Sequence, residues 1–200
     1  MFEKLFKTDN KKDFWKWFTQ NQEEIYRFEG NQELIFEQIS KKLKDIDGNL
    51  VFEFSPVHAN GIREFSISAD GIKASFPNVT DLIGKAPALQ NWKFNAFRQR
   101  VPGNDISVKF GNGVQVGYAD IFFRYAEEED KIGIELNIRN YAPENKQIKN
   151  AVYILLDGLI GEYDTETRIS WMDFVILDEA KVPALYPLTH LRDLVDLLKI

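Results

Sequence analysis

Apolar positions recur along this chain with two periods, and the switches between them mark out its elements. From Asp13 the spacing is helical: Phe14, Phe18, Ile25 and Phe28 share one face, which Trp15 and Trp17 widen. Gly30 is placed as a helix stop and Asn31 as the next N-cap. A second helix comes next, with Ile35, Ile39, Leu43 and Ile46 as its stripe and Gly48 as its end. Residues 1–48 therefore predict a helical hairpin. It is too small to bury a core alone and must cover a face of the strands that begin at Leu50.

At Leu50 the period changes to two. Leu50, Phe52 and Phe54 alternate on one strand and Phe65 and Ile67 on its partner, with the Asn60-Gly61 turn signal between them. Asp70-Gly71 marks another turn. Asn78 is a candidate N-cap, with Asp81 at the capping-box position, for a short helix carrying Val79, Leu82, Ile83 and Ala86. Pro87 limits that helix, and Trp92, Phe94 and Ala96 alternate into a strand. Residues 49–101 thus read as β-β-α-β.

Residues 102–119 predict a linking hairpin: Ile106, Val108 and Phe110, then Val114, Val116 and Tyr118, around Gly111-Asn112-Gly113. Its second strand is placed to run on into the apolar stretch at 121–125, with a bulge at Gly117. The same order of elements then returns over residues 120–177. Beyond an acidic tip at 127–130, Ile132, Ile134, Leu136 and Ile138 alternate as a half-buried strand. A helix comes after it with Ile148, Val152, Leu155, Leu156, Leu159 and Ile160 on one broad face, and Gly161-Glu162 reads as its stop. Residues 169–176 form another strand. Residues 178–200 hold a loop with Pro183 and Pro187, then a helix over 189–198 with Leu191, Leu194, Val195 and Leu198 as its stripe. The fold class expected is α+β in one domain, 1–200. A mostly antiparallel sheet comes from two β-β-α-β-like halves, completed by the N-terminal helical hairpin and a C-terminal helix.

Composition narrows the chemistry. The 200 residues include 16 Phe, 7 Tyr and 4 Trp, ample for a core. With no cysteine, disulfide scaffolding, thiol catalysis and thiolate metal sites are excluded. The start carries no apolar run of signal-peptide length, and no stretch approaches the ~18 apolar residues of a membrane span, so a cytoplasmic protein without a membrane partner is expected. A net charge of −6 argues against nucleic acid as partner. Lys4, Lys7, Lys11, Lys12 and Lys16 make the N-terminus basic, which a solvated helix start explains.

No catalytic signature emerges. His58 and His190 are the only histidines, and neither has a second histidine at i+3 or i+4, so no metal is expected. No serine sits in a Gly-x-Ser-x-Gly elbow. Gly111-Asn112-Gly113 lacks the Lys and Ser or Thr of a phosphate loop, so no nucleotide cofactor, nor any other, is implied. Glu53 and Glu64 are candidate paired carboxylates on the first hairpin, set against a solvated sheet face with Arg63 and Lys131 nearby. Arg98 shares the face of Phe94 and Ala96 by alternation. An Arg on an apolar face needs an anion, either an internal carboxylate or a ligand, and Arg100 is its neighbour in the cluster.

The phrases REFSISADG, APALQNWKFNAFRQR and LLDGLIGEY resemble uncharacterised bacterial single-domain families of unknown function, some of them among immunity proteins. The resemblance covers residues 49–177 and carries no functional residues. It implies an α+β fold and a bacterial intracellular origin. The expectation is a non-enzymatic protein-interaction module of immunity or regulatory type, its partner another protein. The alternative is an enzyme or small-anion binder using Glu53, Glu64, Arg98 and Arg100 in a cleft between the two halves, with its small-molecule ligand unknown.

Overall fold

Burial of one face of a central strand accounts for the arrangement of each half of the chain. A computed structural model describes residues 9–111 and 113–198, so Lys4, Lys7 and the expected turn residue Asn112 lie outside the described residues. The chain divides into two compact units, the first ending at Phe97 and the second beginning at Arg98. The class is α+β, with N-terminal helices and a C-terminal helix as expected.

In the first unit α1 (Asn10–Tyr26) begins at Asp9, whose carboxylate accepts the Lys12 N–H at 3.4 Å. After it come α2 (Gln32–Lys44), β1 (Val51–Phe54), β2 (Arg63–Ser68), α3 (Phe76–Gly84) and β3 (Trp92–Ala96). Strand β2 lies in the middle, antiparallel to β1 and parallel to β3. Its core-facing Phe65 is fully buried. The ring lies 4.9 Å from that of Phe54, 5.2 Å from Phe18 and 5.8 Å from Phe52. The Trp15 indole N–H reaches across to donate to the Leu82 carbonyl at 2.6 Å, tying α1 to α3.

Two expectations in this unit are corrected. Asn78 is not an N-cap: Ser75, three residues earlier, holds the cap position and α3 starts at Phe76, because Pro77 is preorganised for a first turn. Asn78 instead bonds Asp47 and Lys11 from inside the helix, and Lys11 also pairs with Asp81 at 2.6 Å. Nor does Arg63 lie on a solvated face. It alternates with Phe65 and Ile67, so it points into the core and is 2% exposed. Its guanidinium pairs with Glu29, donates to the Tyr26 carbonyl at 2.7 Å, and sits 4.5 Å from the centre of the Phe28 ring. Arg63 thereby holds the turn between α1 and α2 onto the sheet.

The second unit opens with the β4 (Ser107–Lys109) and β5 (Gln115–Gly117) hairpin. Strand β5 does not run on as expected. The Asp120 carboxylate accepts the Gly117 N–H at 2.9 Å and closes a 3-10 turn, Tyr118–Asp120. Then come β6 (Ile121–Glu128), β7 (Lys131–Ile138), α4 (Lys146–Ile160), α5 (Glu162–Arg168), β8 (Ile169–Ile176), β9 (Tyr186–Pro187) and α6 (His190–Leu197). The sheet order is β8-β7-β6-β9, with β8 parallel to β7 and the other pairs antiparallel. Ile132, Ile134, Leu136 and Ile138 of β7 are all fully buried, in one core with Val152, Leu156 and Leu159 of α4.

The β-β-α-β order therefore recurs in detail: an antiparallel hairpin, a helix, and a third strand laid parallel to the second. Helix α5, between the crossover helix and β8, belongs to the second unit alone. Across the described residues four strand pairings are antiparallel and two parallel, and they form separate sheets of three, two and four strands.

Gly133 is the one small residue in β7. The Trp171 indole of β8 lies directly across it, where a Cβ would fall inside the ring. Gly133→Ala should therefore cost about 1–3 kcal/mol by overpacking and shift the tryptophan emission. Chemical denaturation followed by fluorescence checks both. For Arg63, loss of the partner should be worse than loss of the charge. Glu29→Ala leaves a buried cation short of acceptors, at roughly 1–3 kcal/mol, whereas Arg63→Met removes the cation and should destabilise less. Urea unfolding of the two variants tests the order.

Candidate functional site

The four residues singled out in the sequence divide between the units: Glu53 and Glu64 fall in the first, Arg98 and Arg100 in the second. On the first sheet the pairing register sets Glu53 opposite Ser66, Glu64 opposite Lys93, and Ser66 opposite Asn95, so these side chains share one face. Glu53 is exposed. Glu64 is half-buried and accepts from Asn95 Nδ2 at 2.6 Å and Lys93 Nζ at 3.0 Å, with His58 Nε2 3.4 Å away. Burial alone would raise its pKa. The hydrogen bonds from Lys93 and Asn95 and the charges of Lys93 and His58 outweigh it and hold Glu64 below the ordinary value. It is a committed carboxylate, poorly suited to proton abstraction near neutral pH.

Arg98 and Arg100 both reach the junction of α4 and α5. The strand alternation behind the expected face of Arg98 ends at Ala96. Phe97 turns left-handed at φ 67, its ring packs 4.5 Å from Phe76 and its N–H bonds the Ile67 carbonyl, so Arg98 leaves the strand direction altogether. Its backbone N–H donates to the Glu162 carboxylate at 3.0 Å, while the Glu162 N–H donates back to the Arg98 carbonyl at 3.1 Å. Its guanidinium lies 3.5 Å from Asp157. Arg100 donates from Nε to the Ile160 carbonyl at 2.8 Å, from Nη1 to Asp196 at 3.0 Å and from Nη2 to Asp164 at 3.1 Å. Gly161, at φ 87, makes the turn that brings these groups together.

Two carboxylates absent from the sequence-based candidates matter most here. Glu162 is 1% exposed, and Asp157 lies in the apolar run of α4. Burial pushes the Asp157 carboxyl up to about 7; the charges of Glu162 and Glu166 add to this, against the opposing Arg98 charge and a Thr165 hydrogen bond. The signal was present in ILLDGLI, where one carboxylate interrupts an otherwise apolar stretch.

Two of the solvent-open depressions are well formed, and neither of these is lined by Asp157 or Glu162. One, of about 300 Å³, is bounded by Asn10, Asp13, Phe14, Lys42 and Asp45. The other, of about 210 Å³, lies among Phe123, Tyr125, Tyr186, His190, Asp193, Leu194 and Leu197. Among the described residues no group of three or more His, Asp or Glu is arranged to hold a metal ion, and no helix is long and apolar enough to cross a membrane. Compared with protein-family models, curated proteins and solved structures, the chain matches none.

The buried acid gives a pH signature. Unfolded, Asp157 ionises at its ordinary value of 3.8; folded, it ionises near 7. The native state holds this proton more tightly between those values, so its contribution to stability is full below about pH 4 and is lost as pH rises through 7. Asp157→Asn removes that loss. Melting curves should show the variant gaining on the wild type between pH 5 and pH 8; a gap independent of pH would contradict the assignment.

Proposed function

We propose that this chain is a non-enzymatic protein-interaction module of the bacterial cytosol, of immunity or regulatory type. The observation that carries the reading is the outer edge of β8. Among the described strands β8 pairs only with β7, leaving eight residues with one side open. Natural sheet edges are usually blunted by charge, proline or shortness. The opposite edge of this sheet obeys that rule, since β9 has two residues, one of them Pro187. Strand β8 is eight residues long, has no proline and carries a single charge, Asp173: it reads ISWMDFVI, with Trp171 40% and Ile176 63% exposed. On the Ile176 face, exposed Tyr153 of α4 adds to the apolar surface, its ring 5.8 Å from Phe174.

Such an edge suits strand addition. An extended segment of a partner supplies the missing backbone hydrogen bonds; its side chains on one face meet Trp171 and those on the other meet Ile176, which the pairing with Gly133 and Ile138 puts on opposite faces. Asp173 lies on β8 opposite Glu135 of β7, and the Glu128 carboxylate accepts the Trp171 indole N–H at 2.7 Å, so a segment alternating apolar and basic residues is the best match. Catalysis or anion capture by Glu53, Glu64, Arg98 and Arg100 draws less support. Glu64 and both arginines are held by charged partners within their own units.

Ile176→Lys tests the reading. Lying at an exposed position, it should move stability by no more than about 0.5 kcal/mol, yet abolish capture of a specific protein from native cytosol. Hydrogen exchange of the captured complex should show β8 newly protected. A binding protein retained by the variant, or protection confined to other elements, would overturn the assignment to β8.

A further inference from the structure

At the opposite edge of the same sheet, the smaller depression has a composition unlike that of the β8 strip. Its floor is Phe123, 1% exposed. Tyr125 and Tyr186 stand over it, their centroids 6.2 Å and 5.7 Å from Phe123 and 5.8 Å from each other. His190 adds a fourth ring, 6.3 Å from Tyr186. Helix α6 closes the side, because positions 190, 193, 194 and 197 recur on one helical face. Asp193 is the one carboxylate in the lining, and its side chain forms no hydrogen bond or ion pair with any described residue.

Aromatic rings present negative π faces, and a cation placed against several of them is attracted most strongly where water is excluded. An unpaired carboxylate at the rim adds charge of the same sense. The space is below the ~300 Å³ at which drug-sized pockets begin, so it fits a group no larger than a small headgroup. A primary ammonium is strongly hydrated and must give up bonds to water from three N–H donors at a wall that is mainly aromatic and aliphatic carbon. A quaternary ammonium brings none, and so loses little on leaving water.

We propose that the depression among Phe123, Tyr125, Tyr186, His190 and Asp193 is a binding site for a trimethylammonium group. Two sources share that chemistry: a free choline-like molecule, and a trimethyllysine side chain in a peptide. The site does not depend on β8, and its success or failure leaves the strand-addition reading untouched.

The full chain is titrated by NMR with choline, N-trimethyllysine, lysine and 3,3-dimethyl-1-butanol, the last being the neutral isostere of choline. Saturable shifts of Tyr125, Tyr186 and His190 are expected with the two trimethylammonium probes. The neutral isostere and lysine should bind at least about tenfold more weakly, one decade being the usual worth of a single partly desolvated cation–π contact. The stronger of the two quaternary probes identifies the source. Asp193→Asn and, separately, Tyr186→Leu should each weaken choline binding several-fold, with unchanged far-ultraviolet circular dichroism. Equal binding of 3,3-dimethyl-1-butanol would show an apolar pocket without charge selection and overturn the proposal. Absence of saturable shifts with either quaternary probe would overturn it as well.

Discussion

Each unit depends on the same constraint. A central strand with one buried, mainly apolar face must be covered, and the chain covers it with its own helices. In the second unit that strand is β7, whose Ile132, Ile134, Leu136 and Ile138 are wholly buried. In the first it is β2, through Phe65 and Ile67. Laying a third strand parallel to the central one obliges the chain to cross over, and a helix serves both as crossover and as cover. Helices α3 and α4 occupy that place. The closeness of β7 to β8 has a further requirement, a residue without a side chain where the Trp171 indole lies, and Gly133 meets it.

Polar groups near the cores are absorbed by structure. Arg63 enters the first core with Glu29, Tyr26 and Phe28 around it. Glu162 closes a reciprocal backbone clamp with Arg98, and Arg100 finishes the end of α4 by bonding the Ile160 carbonyl. These arrangements resemble helix caps and ion-paired struts more than reaction centres. Two surface features of the four-stranded sheet stand apart: an open, aromatic-bearing edge on one side, and on the other a ring-lined depression whose acid, Asp193, has no partner among the described residues.

Much of this fold was legible in the sequence. The two periods placed the helical stripes and the alternating strands, and the repeated β-β-α-β order was visible before any pairing was known. Features set by contacts distant in the chain were not. The parallel placement of β3 and β8 leaves no local mark. Strand β9 is two residues long and exists only because β6 has a free edge. The left-handed turn at Phe97 redirects Arg98, and no alternation rule anticipates it, since a bulky residue rarely adopts that conformation. Arg63 was legible in principle: it alternates with Phe65 and Ile67, which places it inward. Of the candidate residues, Glu64, Arg98 and Arg100 proved to be ion-paired, while Asp157 was hidden by the apolar company that gives it its raised pKa.

Strand addition requires that β8 be an open edge in the free protein. Residue-resolved native-state hydrogen exchange measures this directly, since edge amides that point to solvent exchange through small local motions and paired central ones only through larger openings. The prediction is a split pattern over Ile169–Ile176: alternate amides exchange fast, the amides between them exchange slowly through their bonds to β7, and those of Lys131–Ile138 are slow throughout. Uniformly slow exchange along all of β8 in the isolated chain would show that its edge is already covered, and would contradict strand addition there.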